Sequence, residues 1–436
     1  MSLTRSLLRQ ALLFGAVWAA GFGAVHALKR LASFNAPFFW PMSIFHPRVP
    51  GLGQCLVLAG ALALFLWAQR VGIWRRGRTA LLLTGSALVL LSNLGQGWPT
   101  GLSRPVAGEY AGARIQYYHD AIALPDALGA FRGFNALQPT LNDHSRSHPP
   151  GALFLFRVLA DWLRAPALIG LALSLAALLL CGVHLERFLQ RFVTPERARW
   201  GVWLFFLLPA VQIYFAVSLD ALIAALFLAV LASFHPQRSW TALAPTLLFL
   251  FLAANLTFAV LFLPPVLLWT EWRQTRRAWR TLGLCAAVGL LLTAMGLLLG
   301  YDYWQAFFTA SRLENPEGFW LLADPLSYLA TRIEDVAEPL LFLGPFAVAA
   351  IGIGLRRGTG PWRDWTLAGL VTFALLLLSG AFRTGETARA GLFLLPLLLL
   401  PMLDGLSRTE PTRERLLPLL LFAQALGMQA LGRYYW

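Results

Sequence analysis

Four short stretches carry most of the side chains suited to acid–base or anion chemistry. "LNDHSRSHPPGALFLF", residues 141–156, gathers Asp143, His144, Arg146 and His148. Two histidines four apart suggest a metal site when both rings share one helix face. Pro149 argues against it, because a proline pushes the preceding residue out of helical geometry. Pro149 and Pro150 are better read as opening the next helix, where a missing N–H costs nothing in the first turn. A phosphate or hydroxyl contact, a metal and plain structure all stay open for this stretch.

"EYAGARIQYYHDA", residues 109–121, adds Glu109, His119 and Asp120. Asp120 stands at the head of a segment with helical apolar spacing, where a helix N-terminus stabilises a carboxylate; a simple N-cap is equally open. "FRTGETARAGLF", residues 382–393, sets Arg383, Glu386 and Arg389 around a glycine turn. Guanidinium groups and free backbone N–H groups can converge there on a phosphate, the alternative being a solvated loop with one internal salt bridge. Asp220, in "SLDALIAAL" (218–226), is more in keeping with a helix cap than with a catalyst.

Several toolkits are missing. The chain has no Walker-type glycine loop, no Gly-x-Ser-x-Gly elbow and no paired-cysteine metal motif. Cys55, Cys181 and Cys285 fall in apolar segments without metal-ligand spacing, so three structural thiols and no disulfide framework are expected. No cofactor is indicated, although a divalent ion stays possible.

The elements that must hold these residues are set by composition. With 436 residues, 58% hydrophobic and 13% charged, and a mean hydropathy of +0.63, the chain is too apolar for an ordinary soluble domain. A β-barrel would show alternation instead of long apolar runs. We therefore expect an all-α, polytopic transmembrane bundle, one domain over residues 1–436, with the first apolar segment (7–28) retained as a helix. The net charge of +14 comes from arginines in short loops, which speaks for topology and against nucleic acid.

Basic loops at 70–78, 186–199, 271–280, 356–364 and 407–415 should face the cytoplasm. Residues 96–148, 301–338 and 383–389 should then lie outside, and about 13 crossings connect the two sides with the N-terminus inside. The stretch 240–270 must cross twice, turning near Asn255, and 149–163 is a short helix whose Arg157 and Asp161 suit an interface or a wet cavity. In the first outer loop, Leu124, Leu128, Phe131, Phe134 and Leu137 predict a surface helix over 120–138. The second outer loop mixes the acids Asp302, Glu314, Glu317, Asp324, Glu334, Asp335 and Glu338 with aromatic residues that include Tyr301, Tyr303 and Trp304, which suit an interfacial belt, substrate stacking being the alternative.

An acid in the first large outer loop, a surface helix after it and "HPP" opening the next helix resemble the C-type, polytopic glycosyltransferases. More narrowly, they resemble the bacterial branch related to protein mannosyltransferases and to the aminoarabinose transferase of lipid A. "HSRSHPPG" (144–151) is the most specific part; "LPAVQIYFAVSLDALIAALFLAVL" (208–231) and "GETARAGLFLLP" (385–396) are also similar to stretches of that branch. The resemblance covers most of the chain in architecture and rests on short motifs.

It implies a multi-pass protein of the bacterial cytoplasmic membrane that takes a sugar from a polyprenyl-phosphate donor to a lipid, glycan or protein acceptor on the outer face, usually with inversion. Asp120 would be the general base, with Glu109 as the second candidate. His148, Arg146, Arg383 and Arg389 would meet the charge of the departing phosphate, supported by Asp143, His144, Glu386 and Asp220. The chain departs from the branch in placing two extra apolar spans before this loop and in separating its two acids. The rival expectation is a transporter or flippase of lipid-linked saccharides, which should show broken helices with acids near mid-membrane. A histidine-dependent membrane acyltransferase would need a deeper His148 and a second polar partner in the spans.

Overall fold

The structure, a computed structural model, describes residues 3–31, 45–109, 113–382, 387–409 and 411–434. The fold is all-α. Helices follow one another from Leu3–Leu31 to Pro411–Leu431, and the strands among the described residues are Phe45–Pro47 and Gly432–Tyr434, paired antiparallel with His46 opposite Arg433. Cys55, Cys181 and Cys285 are free thiols.

Three helices, Leu52–Val71, Pro166–Leu189 and Trp279–Leu299, are long and apolar enough to cross a membrane. Pro325–Leu343 and Pro345–Arg357 pass only as a pair, bent by 101°. The apolar helices Arg78–Leu94, Leu219–Ser233, Thr241–Leu256 and Leu392–Ser407 are shorter; at 1.5 Å per residue, a helix of about 10–17 residues reaches about 15–26 Å, against about 30 Å of hydrocarbon. By helix length, therefore, three or four elements stand among the described residues where about 13 crossings were expected.

The chain packs into two compact units, each assembled from separated stretches of sequence. The three-segment unit comprises Met1–Gln96, Leu189–Phe215 and Phe319–Trp436; the two-segment unit comprises Gly97–Phe188 and Ala216–Gly318. In the three-segment unit, Pro345–Arg357 and Leu395–Ser407 touch backbone to backbone. A Cβ on Gly354 would lie 1.9 Å from the Pro401 carbonyl oxygen, and one on Gly405 2.0 Å from that of Ala350. Only glycine permits such contact, the small-residue device that packs apolar helices without a hydrophobic driving force. In the same unit, polar side chains form a relay: Gln96 donates to Gln429 (2.6 Å), Gln429 donates to the Gln212 carbonyl (2.7 Å), and Ser92 donates to the Gln212 side-chain oxygen. All four are buried, and their pairing avoids the cost of orphaned donors.

In the two-segment unit, the helix Gly151–Leu163 begins directly after Pro149 and Pro150 and meets the Asn255 carbonyl at Gly151, where a Cβ would lie 2.2 Å away. The turn expected near Asn255 falls at Thr257, whose hydroxyl caps the short helix Phe258–Phe262. The surface helix expected over 120–138 is broken. Tyr117–Ala123 ends at Leu124, held extended ahead of Pro125, Asp126 turns the chain by accepting from Gly129 N–H at 2.7 Å, and Gly133 takes φ +73° before Phe134–Leu137. The apolar spacing is real, since Phe131 and Phe134 are buried. Pro125, the turn at Asp126 and Gly133 divide the backbone that carries it.

The segment 301–338, expected as an outer loop, is not irregular. It is largely helical, with Tyr303–Glu314 capped by Asp302, whose carboxylate accepts from Gln305 N–H at 2.9 Å, and Pro325–Leu343 capped by Asp324. Glu334, Asp335 and Glu338 are buried on the latter helix, because it turns its Thr331, Glu334, Asp335, Glu338 and Phe342 face inward.

Candidate functional site

The two-segment unit brings together Asp120, Asp143, His144, Arg146 and His148 of the residues singled out from the sequence. Asp120 lies within the first turn of Tyr117–Ala123 and is not its cap. Its Oδ2 instead accepts from Asn142 N–H at 3.0 Å, and Asn142 is the residue that precedes the short helix Asp143–Arg146. The carboxylate thus satisfies an orphan donor at the start of a second helix and ties "YYHDA" to "NDHSRSH" across 22 residues. Among the described residues no bond engages Oδ1 of Asp120.

His144 and His148 do not share a helix face, as Pro149 required, since the helix ends at Arg146. They converge all the same, because both pack on Tyr117, with ring centroids 5.6 Å away for His144 and 5.4 Å, edge to face, for His148. Phe156 stacks on the same tyrosine at 5.2 Å. His148 Nδ1 is 3.0 Å from the His144 carbonyl oxygen, which fixes the ring and favours the tautomer with the proton on Nδ1. Arg146 pairs with Asp143 at 2.8 Å and gives its backbone carbonyl to Gln138 Nε2 at 2.8 Å. Gln138 also donates to the Ala306 carbonyl at 2.9 Å, fixing the stretch to the helix Tyr303–Glu314.

Arg157 secures the other side. Its Nε meets both Asp161 oxygens, at 3.0 and 3.1 Å, while NH1 donates to the Leu124 and Ile122 carbonyls. Those carbonyls end the helix that carries Asp120, so Arg157 acts as its C-cap cation. Sequence reasoning noticed the Arg157–Asp161 spacing but not this use, nor the part played by Tyr117; both depend on contacts between segments distant along the chain.

Glu109 is exposed and pairs with Arg114 at 3.3 Å. Asp220 stands in the first turn of Leu219–Ser233, where Ser218 and not Asp220 is the cap: its hydroxyl accepts from Asp220 N–H at 3.1 Å. Val217, just upstream, holds φ +64°, a strained value for a β-branched residue, with its N–H donated to Ser174 at 2.7 Å. Arg383 and Glu386 lie outside the described residues. Arg389 belongs to the three-segment unit, on the short helix Thr387–Ala390.

That short helix rests on acids that were expected in the second outer loop. Asp335 accepts from the Thr387 hydroxyl at 2.8 Å, and Glu338 accepts from Ala388 N–H at 3.0 Å. Arg332 pairs with Asp335 at 2.8 Å, donates to the Leu377 and Phe382 carbonyls, and lies 5.0 Å from the Tyr328 ring centroid. The signal was in the sequence: Thr331, Glu334, Asp335 and Glu338 recur at one helix face amid apolar residues.

Tyr301 and Tyr303 are buried, and burial pushes both phenols above their ordinary range, while Trp304 and Phe308 stay exposed. Among the described residues no group of three or more His, Cys, Asp or Glu side chains is placed to hold a metal. Compared with known proteins, the chain matches no family model and no curated protein.

Proposed function

We propose that the chain is a multi-pass membrane glycosyltransferase that moves a sugar from a polyprenyl-phosphate donor to an acceptor hydroxyl on the outer face. The observation that carries this is the Asp120–Asn142 hydrogen bond, which joins the first-loop acid to the stretch holding Arg146 and His148. Asp120 keeps Oδ1 for a substrate hydroxyl, and Arg146 and His148 supply cationic and N–H character nearby in the chain. As the acceptor oxygen attacks the anomeric carbon, its proton passes to Asp120. The bond from that carbon to the phosphate oxygen breaks, and the phosphate leaves with the electron pair, its charge met by His148 and Arg146. On this proposal the short apolar helices cross in pairs or in the company of neighbours, giving about 13 spans. The acceptor is a lipid, a glycan or a protein, and no cofactor is assigned.

A second proposal is transport of a lipid-linked saccharide, favoured by the bent pair Pro325–Leu343 and Pro345–Arg357 with its buried acids, since discontinuous helices carrying polar groups mark transporter sites. Reconstitution with a polyprenyl-phosphate sugar and an acceptor separates the two. We expect the sugar to leave its lipid carrier with the wild-type chain and to stay on it with Asp120→Asn. A sugar that only changes leaflet, still attached to its carrier, would replace the enzyme by the transporter.

A further inference from the structure

The helix Tyr303–Glu314 carries three stripes, where an ordinary surface helix carries two. Tyr303, Ala306 and Ala310 face inward, and Tyr303 and Phe307 pack on Phe258 with ring centroids 5.4 and 5.5 Å away. The outward side is divided. Trp304 and Phe308, four residues apart, are 55% and 56% exposed and form an apolar stripe. Gln305 and Arg312, seven apart and exposed, form a polar stripe about 70° further round, at about 100° per residue.

Each exposed stripe disfavours a different solvent. Water penalises Trp304 and Phe308 for their apolar area, and hydrocarbon penalises the Arg312 charge. The boundary of a bilayer suits both, since aromatic rings gather there while cations keep to the aqueous side. The chain leads to that boundary. Trp279–Leu299, long and apolar enough to cross a membrane, ends just upstream with Leu297 and Leu298 84% and 83% exposed. Gly300, at φ +72°, turns the chain, and residues 300–302 can carry Tyr303 no more than about 14 Å from Leu299. The apolar stripe therefore lies close to the exposed end of the span.

On its inward side the helix is bonded to the turn that holds Arg146. Gln138, fully buried, donates through Nε2 to the Ala306 carbonyl at 2.9 Å and to the Arg146 carbonyl at 2.8 Å. Asn135 adds a reciprocal pair with Asp302, its amide donating to the carbonyl at 2.8 Å and its oxygen accepting from the N–H at 2.9 Å. We propose that Tyr303–Glu314 is an interfacial helix whose partner is the bilayer surface, and that Gln138 ties the Asp143–Arg146 turn to its depth. Trp304 and Phe308 enter lipid, while Gln305 and Arg312 face water. This placement is independent of the reaction assigned to the turn.

The full chain in phosphatidylcholine vesicles tests both parts. With a benzophenone amino acid in place of Phe308, irradiation should give a lipid adduct, severalfold more than the same amino acid in place of Gln305. Equal yields at the two positions, or a cross-link from 308 to a second copy of the chain instead of lipid, would overturn the interfacial seat. Gln138→Met keeps the side-chain length and removes both donors. It should speed exchange of the Arg146 and Ser147 amides, which close the turn, by about tenfold and leave the lipid adduct at 308 as it was. The paired change Trp304→Gln with Phe308→Gln should speed the same amides in the wild-type background and add nothing in Gln138→Met, where the tie is already cut. Effects that multiply independently, or unchanged exchange in Gln138→Met, would overturn the tie while the seat stands.

Discussion

Asp120 and Asp335 are both aspartates carried on helices, yet their surroundings assign them opposite work. Asp120 is half-buried and spends one oxygen on a backbone N–H. Asp335 is fully buried, with one oxygen on the Thr387 hydroxyl and the other paired with Arg332. An acid that is to accept a proton during turnover needs a free oxygen and a path to substrate. An acid that holds a fold needs neither. The contrast shows why a list of acids from a sequence cannot be ranked by residue type: engagement decides the role.

The sharpest way to break that contrast is Asp120→Asn. It keeps an oxygen that can accept from Asn142, so the protein should insert and purify while transfer falls by about 10²–10⁴-fold, measured as sugar released from the lipid carrier. Normal turnover would remove Asp120 from the chemistry. Arg332→Ala tests the other side. It leaves Asp335 buried without its counter-charge, and stability should drop by about 3–5 kcal/mol, read as a lower unfolding midpoint; an unchanged midpoint would mean that Asp335 is not the structural acid described.

Two smaller effects refine the comparison. Tyr117→Leu removes the ring on which His144, His148 and Phe156 pack and should cost about 0.5–1.5 kcal/mol, or up to about tenfold in transfer, with Tyr117→Phe close to wild type. If Tyr117→Phe is as impaired as Tyr117→Leu, the hydroxyl and not the ring is what matters. Asp161→Asn should change the unfolding midpoint least, by under about 1 kcal/mol, because its pair with Arg157 is partly exposed. A larger loss would show that Asp161, like Asp335, holds its arginine in place, and would narrow the contrast.

The all-α class was legible in composition alone, as was the helix opened by Pro149 and Pro150. Both follow from local chemistry, namely apolar content and a missing N–H. Long-range facts were not. The apolar spacing of 120–138 described which side chains are buried, but Pro125, the turn at Asp126 and Gly133 decide how the backbone runs, and spacing counts side chains only. Burial of Glu334, Asp335 and Glu338 was hidden by assigning 301–338 to a loop on charge alone; the helical recurrence of those same acids pointed the other way. For Asp120 and His148, local sequence gave the residue types, while their meeting depends on the Asn142 N–H and the Tyr117 ring, neither of which has a signature in the chain.

The small ribbon of Phe45–Pro47 and Gly432–Tyr434 has a consequence for biosynthesis. Arg48, beside it, donates to the Gln429 carbonyl at 2.9 Å across 381 residues, and Gln96 waits for the same glutamine. Early helices emerge from the ribosome long before these partners exist. Helices near the start must therefore live for most of translation with polar groups unsatisfied, and closure of the three-segment unit is a late, slow, high-contact-order event. A chain cut before Gln429 should be recognised by quality control as unfinished, however well its first helices have formed.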